Sequence, residues 1–600
     1  MNLLLASLRP HFYKHRKLLF WGTVFTLVSN WFSIYPAQVV RHAFDFVWEL
    51  LKTAKQLEGF AHKRSVTDTL FYILPFFGLF IVVLALIRGY FLYLVRQTLI
   101  VMSRKIEYEQ KNEIYKAMLG FSQNQLRSMK TGDLMARIGE DVSNVRMFVG
   151  PGIMYSLNTL TLFGMIIVTM IYVNAELTFY SILPLPLLTV SIYYVHSIIV
   201  KRSDEKQKQI GVVSSFVQES FSGIRLIKAF AREKEMENKF GELSRSYKAK
   251  AMDLIRVDAL FMPLIVLLIG ISTILTIWIG SEKVIAGTIT IGNIAEFVIY
   301  INLLIWPVAA LGWVTSLTNK AVSGQKRINE ALITFSEIQY PDADPKPLPS
   351  GNVAVEFYNV NYTYPDTGVH AIKDFRAKLQ KGRIYALVGR TGSGKTTLLQ
   401  LLMRVMQPQT GVIELFGLPL ESYSRQALKR TFAYVPQDVF LFSDTIAANI
   451  AFGKDDIDRQ TMENAARFAR VYDDVMLFAD KFETKIGERG VTLSGGQKQR
   501  ISIARAFVTD ANIFIMDDSL SAVDTKTEEE IFSNLRAKLD ENRTIVIVTH
   551  RITTAQRCDE IIVIDDGKAA ESGTHDELVA RQGPYFDFHT RQQLESQVYA

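Results

Sequence analysis

The chain has 600 residues, 49% of them hydrophobic and 21% charged, with a formal net charge of +7. That apolar content excludes a disordered chain, and a single cysteine, Cys558, excludes an intrachain disulfide framework. The charge is uneven: residues 1–340 carry 36 Lys/Arg against 24 Asp/Glu, and residues 341–600 carry 31 against 36. A basic arm for nucleic acid would be polar, and this basic front is rich in apolar residues, so no nucleic-acid partner is expected.

Six apolar stretches, near 17–40, 70–98, 151–173, 176–199, 258–280 and 290–315, are each long enough for a helix to cross a bilayer, which takes about 20 residues. The opening stretch is basic but runs into the first span without a cleavage pattern, so no cleavable signal is expected. Orientation follows from the positive charges. The connection 99–150 has eight Lys/Arg and 200–257 has thirteen, whereas the turn between the third and fourth spans has none. Positive charge marks the cytoplasmic side, which puts both ends and both long connections there. The first outer loop, 41–69, fits imperfectly with its five Lys/Arg.

Within the spans, Trp21, Asn30, Trp31, Phe32 and Tyr35 in the first, and Asn302, Trp306, Pro307 and Trp313 in the sixth, are candidates to line a cavity. Such side chains also face bilayer or core, the commoner role. Glu296 is the carboxylate most clearly inside a span, which makes it either a functional group at membrane depth or a paired residue near the outer interface.

Beyond residue 350 the pattern changes to short apolar strands. Ile384–Val388 is followed by Gly389-Arg390-Thr391-Gly392-Ser393-Gly394-Lys395-Thr396 and then by a helical run from Thr397 to Met406. This fits G-x-x-x-x-G-K-[ST], in which backbone N–H groups cradle polyphosphate, the lysine reaches the β/γ-phosphates and the hydroxyl holds Mg²⁺. ATP and Mg²⁺ are the implied cofactors. A second all-apolar strand, Ile513–Met516, runs into Asp517-Asp518, and a third, Thr544–Thr549, ends at His550. Side chains at the carboxyl ends of such strands face the ligand crevice, so Asp517 is assigned to Mg²⁺ and His550 to the γ-phosphate. Ser494-Gly495-Gly496-Gln497 precedes a helical run, which makes a second donor cluster for an anion. One chain with two phosphate-facing clusters suggests ATP sandwiched between two domains, and hence dimerisation.

Leu493-Ser494-Gly495-Gly496-Gln497 together with the phosphate loop resembles the ATP-binding-cassette (ABC) transporters, and residues 350–585 resemble their nucleotide-binding domain. The resemblance implies that Tyr364 stacks on adenine and that Gln437 senses Mg²⁺ and the attacking water. It implies that Ser494–Gln497 clamp the γ-phosphate of ATP held by the opposite domain. Ser521–Asp524 then match the loop crossing that interface, and Glu488-Arg489-Gly490 a contact with the membrane domain. The expected architecture is a multi-domain α-helical membrane protein followed by an α/β P-loop ATPase: residues 1–325 a six-helix exporter domain, 326–349 a linker, 350–585 the nucleotide-binding domain and 586–600 a tail. The resemblance also places short coupling helices near 114–122 and 211–221, the second expected to dock on a partner chain.

One position departs from the family. A glutamate is expected after the Mg²⁺ aspartate, as the general base, and this chain has Asp518. The carboxylate is shorter by one C–C bond, about 1.5 Å, and misplacing a reacting group by about 1 Å costs roughly a hundredfold in rate. Asp517–Asp524 resembles the weak-site subunit of heterodimeric bacterial exporters. The expected function is ATP-driven export of hydrophobic or amphipathic compounds across the bacterial cytoplasmic membrane, with a second, different half-transporter as partner; a homodimeric lipid flippase is the alternative. A DNA-repair or translation ATPase of the same class is disfavoured by the six spans.

Overall fold

The computed structural model describes residues 2–56, 60–129, 131–333, 338–342, 351–454, 456–487, 490 and 493–598. The chain forms two compact units: Met1–Leu119 with Gly132–Thr334, and Gly120–Thr131 with Phe335–Ala600.

Every regular element of the first unit, among its described residues, is a helix. Among the described residues, five helices are long and apolar enough to cross a membrane, and they carry the stretches 17–40, 70–98, 151–173, 258–280 and 290–315. The stretch 176–199 is also helical but interrupted: Ala175–Ile182 ends at Leu183 before Pro184–Ser222 begins. Pro184 and Pro186 supply no amide donor, so the hydrogen-bond ladder cannot run through unbroken. A buried apolar cluster including Ile34, Ile166, Met170, Phe297 and Leu304 joins the helices at one level, and Leu99, Met102, Val142, Val145 and Ile328 join them at another. Phe71, Tyr72, Phe76, Leu86 and Trp278 stay exposed, a surface that only an apolar solvent suits.

Glu296 is fully buried and paired. Its carboxylate accepts from Arg41 Nη1 at 3.2 Å, Tyr300 Oη at 2.8 Å and Asn293 Nδ2 at 3.3 Å. Of the two readings of Glu296, the paired one fits this geometry. Asn30 is also engaged, donating to Thr161 Oγ1 at 2.5 Å across two helices.

The coupling segments differ from expectation. Residues 114–119 continue the helix Val101–Leu119, and the short helix is Gln123–Ser128, in the stretch that joins the second unit. It starts where Ser122 and Gln125 close a reciprocal cap, each side chain accepting from the other's backbone N–H. Residues 211–221 lie inside the helix Pro184–Ser222, and the next short helix, Ile224–Ala229, follows the stop at Gly223.

The second unit has ten strands among its described residues: β1 (Val353–Thr363), β2 (His370–Gln380), β3 (Ile384–Val388), β4 (Thr410–Leu415), β5 (Leu418–Pro419), β6 (Phe432–Val435), β7 (Ile513–Asp517), β8 (Thr544–Val548), β9 (Glu560–Asp565) and β10 (Lys568–Gly573). An antiparallel sheet runs β2-β1-β4-β5, and a six-stranded sheet runs β10-β9-β3-β8-β7-β6. β9, β3, β8, β7 and β6 are parallel, and only β10 is antiparallel. β3 and β8 are buried along their whole length, as strands covered on both faces must be. The parallel order aligns the carboxyl ends of β3, β8, β7 and β6 on one edge, where the site forms.

Candidate nucleotide site

The loop after β3 is forced by backbone crowding. At Gly389 a Cβ would collide with the carbonyl oxygen of Ile564. At Gly394, with φ +101°, it would lie 2.6 Å from the carbonyl oxygen of Ala371. Neither position accepts a side chain, so the backbone itself walls the cradle. The helix Lys395–Leu402 starts on Gly394, and its first N–H groups point to where anions are favoured. Lys395 is buried, its Nζ donating to the carbonyls of Gly389 at 2.9 Å and Arg390 at 2.8 Å. Burial lowers its pKa against the pull of Asp517 and Asp518. Ser393 Oγ is buried without a hydrogen-bond partner among the described residues.

Asp517 closes β7 and is 1% exposed. Thr396 Oγ1 donates to it at 3.4 Å and Tyr434 Oη at 3.3 Å, both long bonds. Burial raises its pKa, and nearby Asp518 adds to the rise. Asp518 turns sharply away from β7 with φ +46°, a conformation that aspartate tolerates better than most residues. Its backbone N–H donates to the Val548 carbonyl at 3.0 Å. Burial raises its pKa too, opposed by His550, Lys395 and Arg551. His550 is shifted down by burial and then by Lys395, which keeps the imidazole neutral near pH 7.

A cleft of about 690 Å³ brings these groups together. Tyr364, Thr391, Gly392, Gly394, Lys395, Thr396, Thr397, Gln437, Asp517, Asp518 and His550 all line it; Gly389, Arg390 and Ser393 belong to the same loop. Tyr364 Oη and Thr397 Oγ1 are 2.9 Å apart, and Tyr362 meets the Tyr364 ring edge-on at 5.2 Å.

Two contributions to the site were not read from the sequence: Arg127 lines the cleft, and Tyr434 bonds one of the lining carboxylates. Tyr434, on β6, reaches Asp517. Arg127, from the short helix Gln123–Ser128, lies 4.9 Å over the Tyr364 ring in a cation–π contact. Tyr362 Oη donates to Asn124 Oδ1 of the same helix at 2.8 Å. A tyrosine three residues before Gln437 on a parallel strand was a usable signal. For Arg127, 237 residues from Tyr364 in the chain, there was none.

The signature residues lie elsewhere. Ser494 caps the helix Gly495–Phe507: its Oγ accepts from Gln497 N at 3.2 Å, while Gln497 Oε1 accepts from Ser494 N at 3.0 Å. The cap uses Ser494 as an acceptor and leaves its hydroxyl hydrogen available. Ser494 and Gly495 are exposed, and none of Ser494–Gln497 lines the cleft. The adjoining loop is tied to this helix, since Gln499 Oε1 accepts from Ala522 N at 3.1 Å. Glu488 and Arg489 lie outside the described residues.

A polyphosphate cradle at the switch-point edge of a parallel sheet defines a P-loop ATPase. Residues 19–308 match the ABC transporter transmembrane region and residues 372–521 the ABC transporter family. The chain is 36% identical over 468 residues to the Multidrug resistance-like ATP-binding protein MdlA of Escherichia coli (strain K12), covering 78% of this chain and 79% of the relative. It is 36% identical over 466 residues to the Probable multidrug resistance ABC transporter ATP-binding/permease protein YheI of Bacillus subtilis (strain 168), covering 78% and 79%. A solved structure of a bacterial Atm1-family ABC exporter with ATP bound has a TM-score of 0.75, covering 96% of this chain and 98% of that one, and at 23% identity it speaks for the fold. The chain therefore belongs to the ABC exporters. It is a multi-pass membrane protein with its nucleotide-binding domain on the cytoplasmic side, and an ATP hydrolase coupled to transmembrane transport.

Proposed function

We propose that the chain is one half of a heterodimeric exporter of hydrophobic or amphipathic compounds and carries the weaker of its two catalytic sites. The observation that carries this reading is the contrast between the cleft and the signature. The cleft holds a cradle, a lysine and two carboxylates; Ser494–Gln497 stand outside it, Ser494 and Gly495 exposed, at a helix N-terminus whose hydroxyl hydrogen the cap does not use. An exposed donor cluster of that kind suits the γ-phosphate of ATP held by another chain. Asp518 suits the weak side, because its carboxylate is one methylene short of the reach expected of the base.

The site residues divide as follows. Tyr364 holds adenine; the 389–397 loop and Lys395 hold the phosphates; Asp518 orients water; His550, kept neutral, donates to the γ-phosphate. Asp517, Thr396 and Gln437 present only oxygen donors, and the two long hydrogen bonds on Asp517 leave it free to ligate, so the set fits Mg²⁺. When bound, that ion neutralises charge on the β- and γ-oxygens. We assign residues 1–325 to the exporter domain, 326–349 to a linker, 350–585 to the nucleotide-binding domain and 586–600 to a tail. The names of the two relatives, one multidrug resistance-like and one probable multidrug resistance, support hydrophobic or amphipathic cargo. Intact-mass analysis of the complex purified from native membranes tests the pairing. Two masses are expected, and a single mass sinks the heterodimer in favour of a homodimer.

A further inference from the structure

Inside the membrane unit is a cavity of about 330 Å³ whose lining includes two guanidinium groups and no carboxylate. The size falls within the range of small-molecule sites. Both cations come from one face of one helical run. Arg88, Leu92, Val95 and Arg96 all line the cavity at i, i+4, i+7 and i+8, and a rise of about 1.5 Å per residue separates the two arginines by roughly 12 Å along the axis. Arg88 is the only charged residue between positions 70 and 95 of that apolar helix, and it is half-buried. Among the described residues, neither arginine forms an ion pair. The buried carboxylates of the unit, Glu296 and Asp141, are taken by Arg41 and Arg327. The lining also includes aromatic surface from Tyr155 and Trp306 and side-chain amides from Asn158 and Asn302.

A cation at membrane depth is expensive to keep unless something neutralises it, and such residues face a cavity or a partner. Here the described residues supply the cavity, and no carboxylate lines it. We propose that this cavity binds an amphipathic organic anion, its charged group between Arg88 and Arg96 and its apolar body against Trp306, Leu92 and Leu162. The inference rests on the export reading above and narrows its substrate class from amphipathic to anionic. The anion has two sources, an acidic membrane lipid or a soluble amphipath, which share a headgroup charge on an apolar body.

The test uses the full complex in phosphatidylcholine vesicles and two fluorescent probes with the same ring system and opposite charge: pyrenebutanoate and pyrenebutyl-trimethylammonium. The complex is expected to bind the anion more tightly, and Arg88→Gln with Arg96→Gln to weaken it by about tenfold to a hundredfold, the worth of a charge-assisted contact. The same variant should leave the cation probe and ATP affinity unchanged, which reports an intact fold. Arg88→Lys with Arg96→Lys should retain the anion preference. If the double glutamine variant fails to assemble, Arg96→Gln alone, at the more exposed position, should give a smaller loss in the same direction. Equal affinity for the two probes, or an anion preference that survives loss of both arginines, overturns the proposal. Competition by added phosphatidylglycerol assigns the site to acidic lipid, and its absence to a soluble anion. ATP-driven uptake into inside-out vesicles separates the two readings. Movement of the cation probe without an anion preference rejects this inference and keeps export; an anion preference with neither probe moved by ATP keeps the site and rejects export.

Discussion

The phosphate loop and the signature are made of the same materials, glycines and a hydroxyl at the start of a helix, and differ in everything around them. At the loop the chain closes over the helix start: Gly389 and Gly394 touch backbone carbonyls, Lys395 is buried, and two carboxylates complete the wall. At the signature the helix start is open and its cap is already satisfied within Ser494–Gln497. A helix N-terminus is thus a complete site only where other strands enclose it. Left exposed, it is half of one.

That contrast can be broken in order of expected effect. Lys395→Ala removes the fixed counter-charge of the enclosed site, and nucleotide affinity there should fall by roughly a hundredfold or more, from charge-assisted bonds worth about 1.5–3 kcal/mol each; near-parental ATP affinity by titration would contradict the assignment. Ser494→Trp should abolish most steady-state turnover yet leave ATP affinity at this chain's own loop unchanged, because the residue lies outside the cleft. Unaffected turnover rejects completion of the partner's site by this signature. Asp518→Ala should barely change turnover: if the short carboxylate already slows this site about a hundredfold, it contributes roughly 1% of the total. Equal and near-complete loss from this change and from the matching change in the partner favours two competent sites.

The smallest effect is in protons. The Asp517 pKa is raised by burial in the free protein, so its carboxyl takes up a proton at a higher pH than an exposed aspartate does. A divalent cation on that carboxylate favours the charged form and reverses the shift. MgATP binding on the acid side of neutrality should therefore release protons, seen as a buffer-dependent enthalpy in calorimetry, and the release should vanish as pH rises above the raised pKa. His550 works in the opposite sense: its lowered pKa leaves it neutral where a free imidazole begins to protonate, so it adds no uptake there.

What could be read in the sequence is what local patterns encode. β3, β7 and β8 are unbroken apolar runs ending in the phosphate loop, Asp517 and His550, and each was placed to within a residue or two. The helix after the loop starts two residues earlier than the apolar pattern suggested, at Lys395, because glycine geometry rather than hydrophobicity sets its start. The short helices lie a few residues beyond the expected segments because the connections look alike along their length, while the punctuation, a start at Ser122 with Gln125 and a stop at Gly223, rests on single residues. Arg88 was passed over as one charge in an apolar run; only neighbouring helices reveal that it shares a cavity with Arg96. Trp21, Asn30, Trp31, Phe32 and Tyr35 do not line that cavity, whereas Asn302, Trp306 and Pro307 do. Composition cannot tell which side of a helix looks inward.

The detour of residues 120–131 has a practical corollary for dissecting the molecule. The chain leaves the helical unit after Leu119, lends Asn124 and Arg127 to the ATPase unit, and returns at Gly132. No single cut separates the two units. A soluble fragment starting near residue 350 would lose the Asn124 acceptor of Tyr362 and the cationic cover of Tyr364, so the adenine contact we propose for Tyr364 would be measured on a bare ring. Fragment affinities for ATP would then describe a different pocket from the one in the intact transporter, and grafting residues 120–131 back through a short linker is the way to restore it.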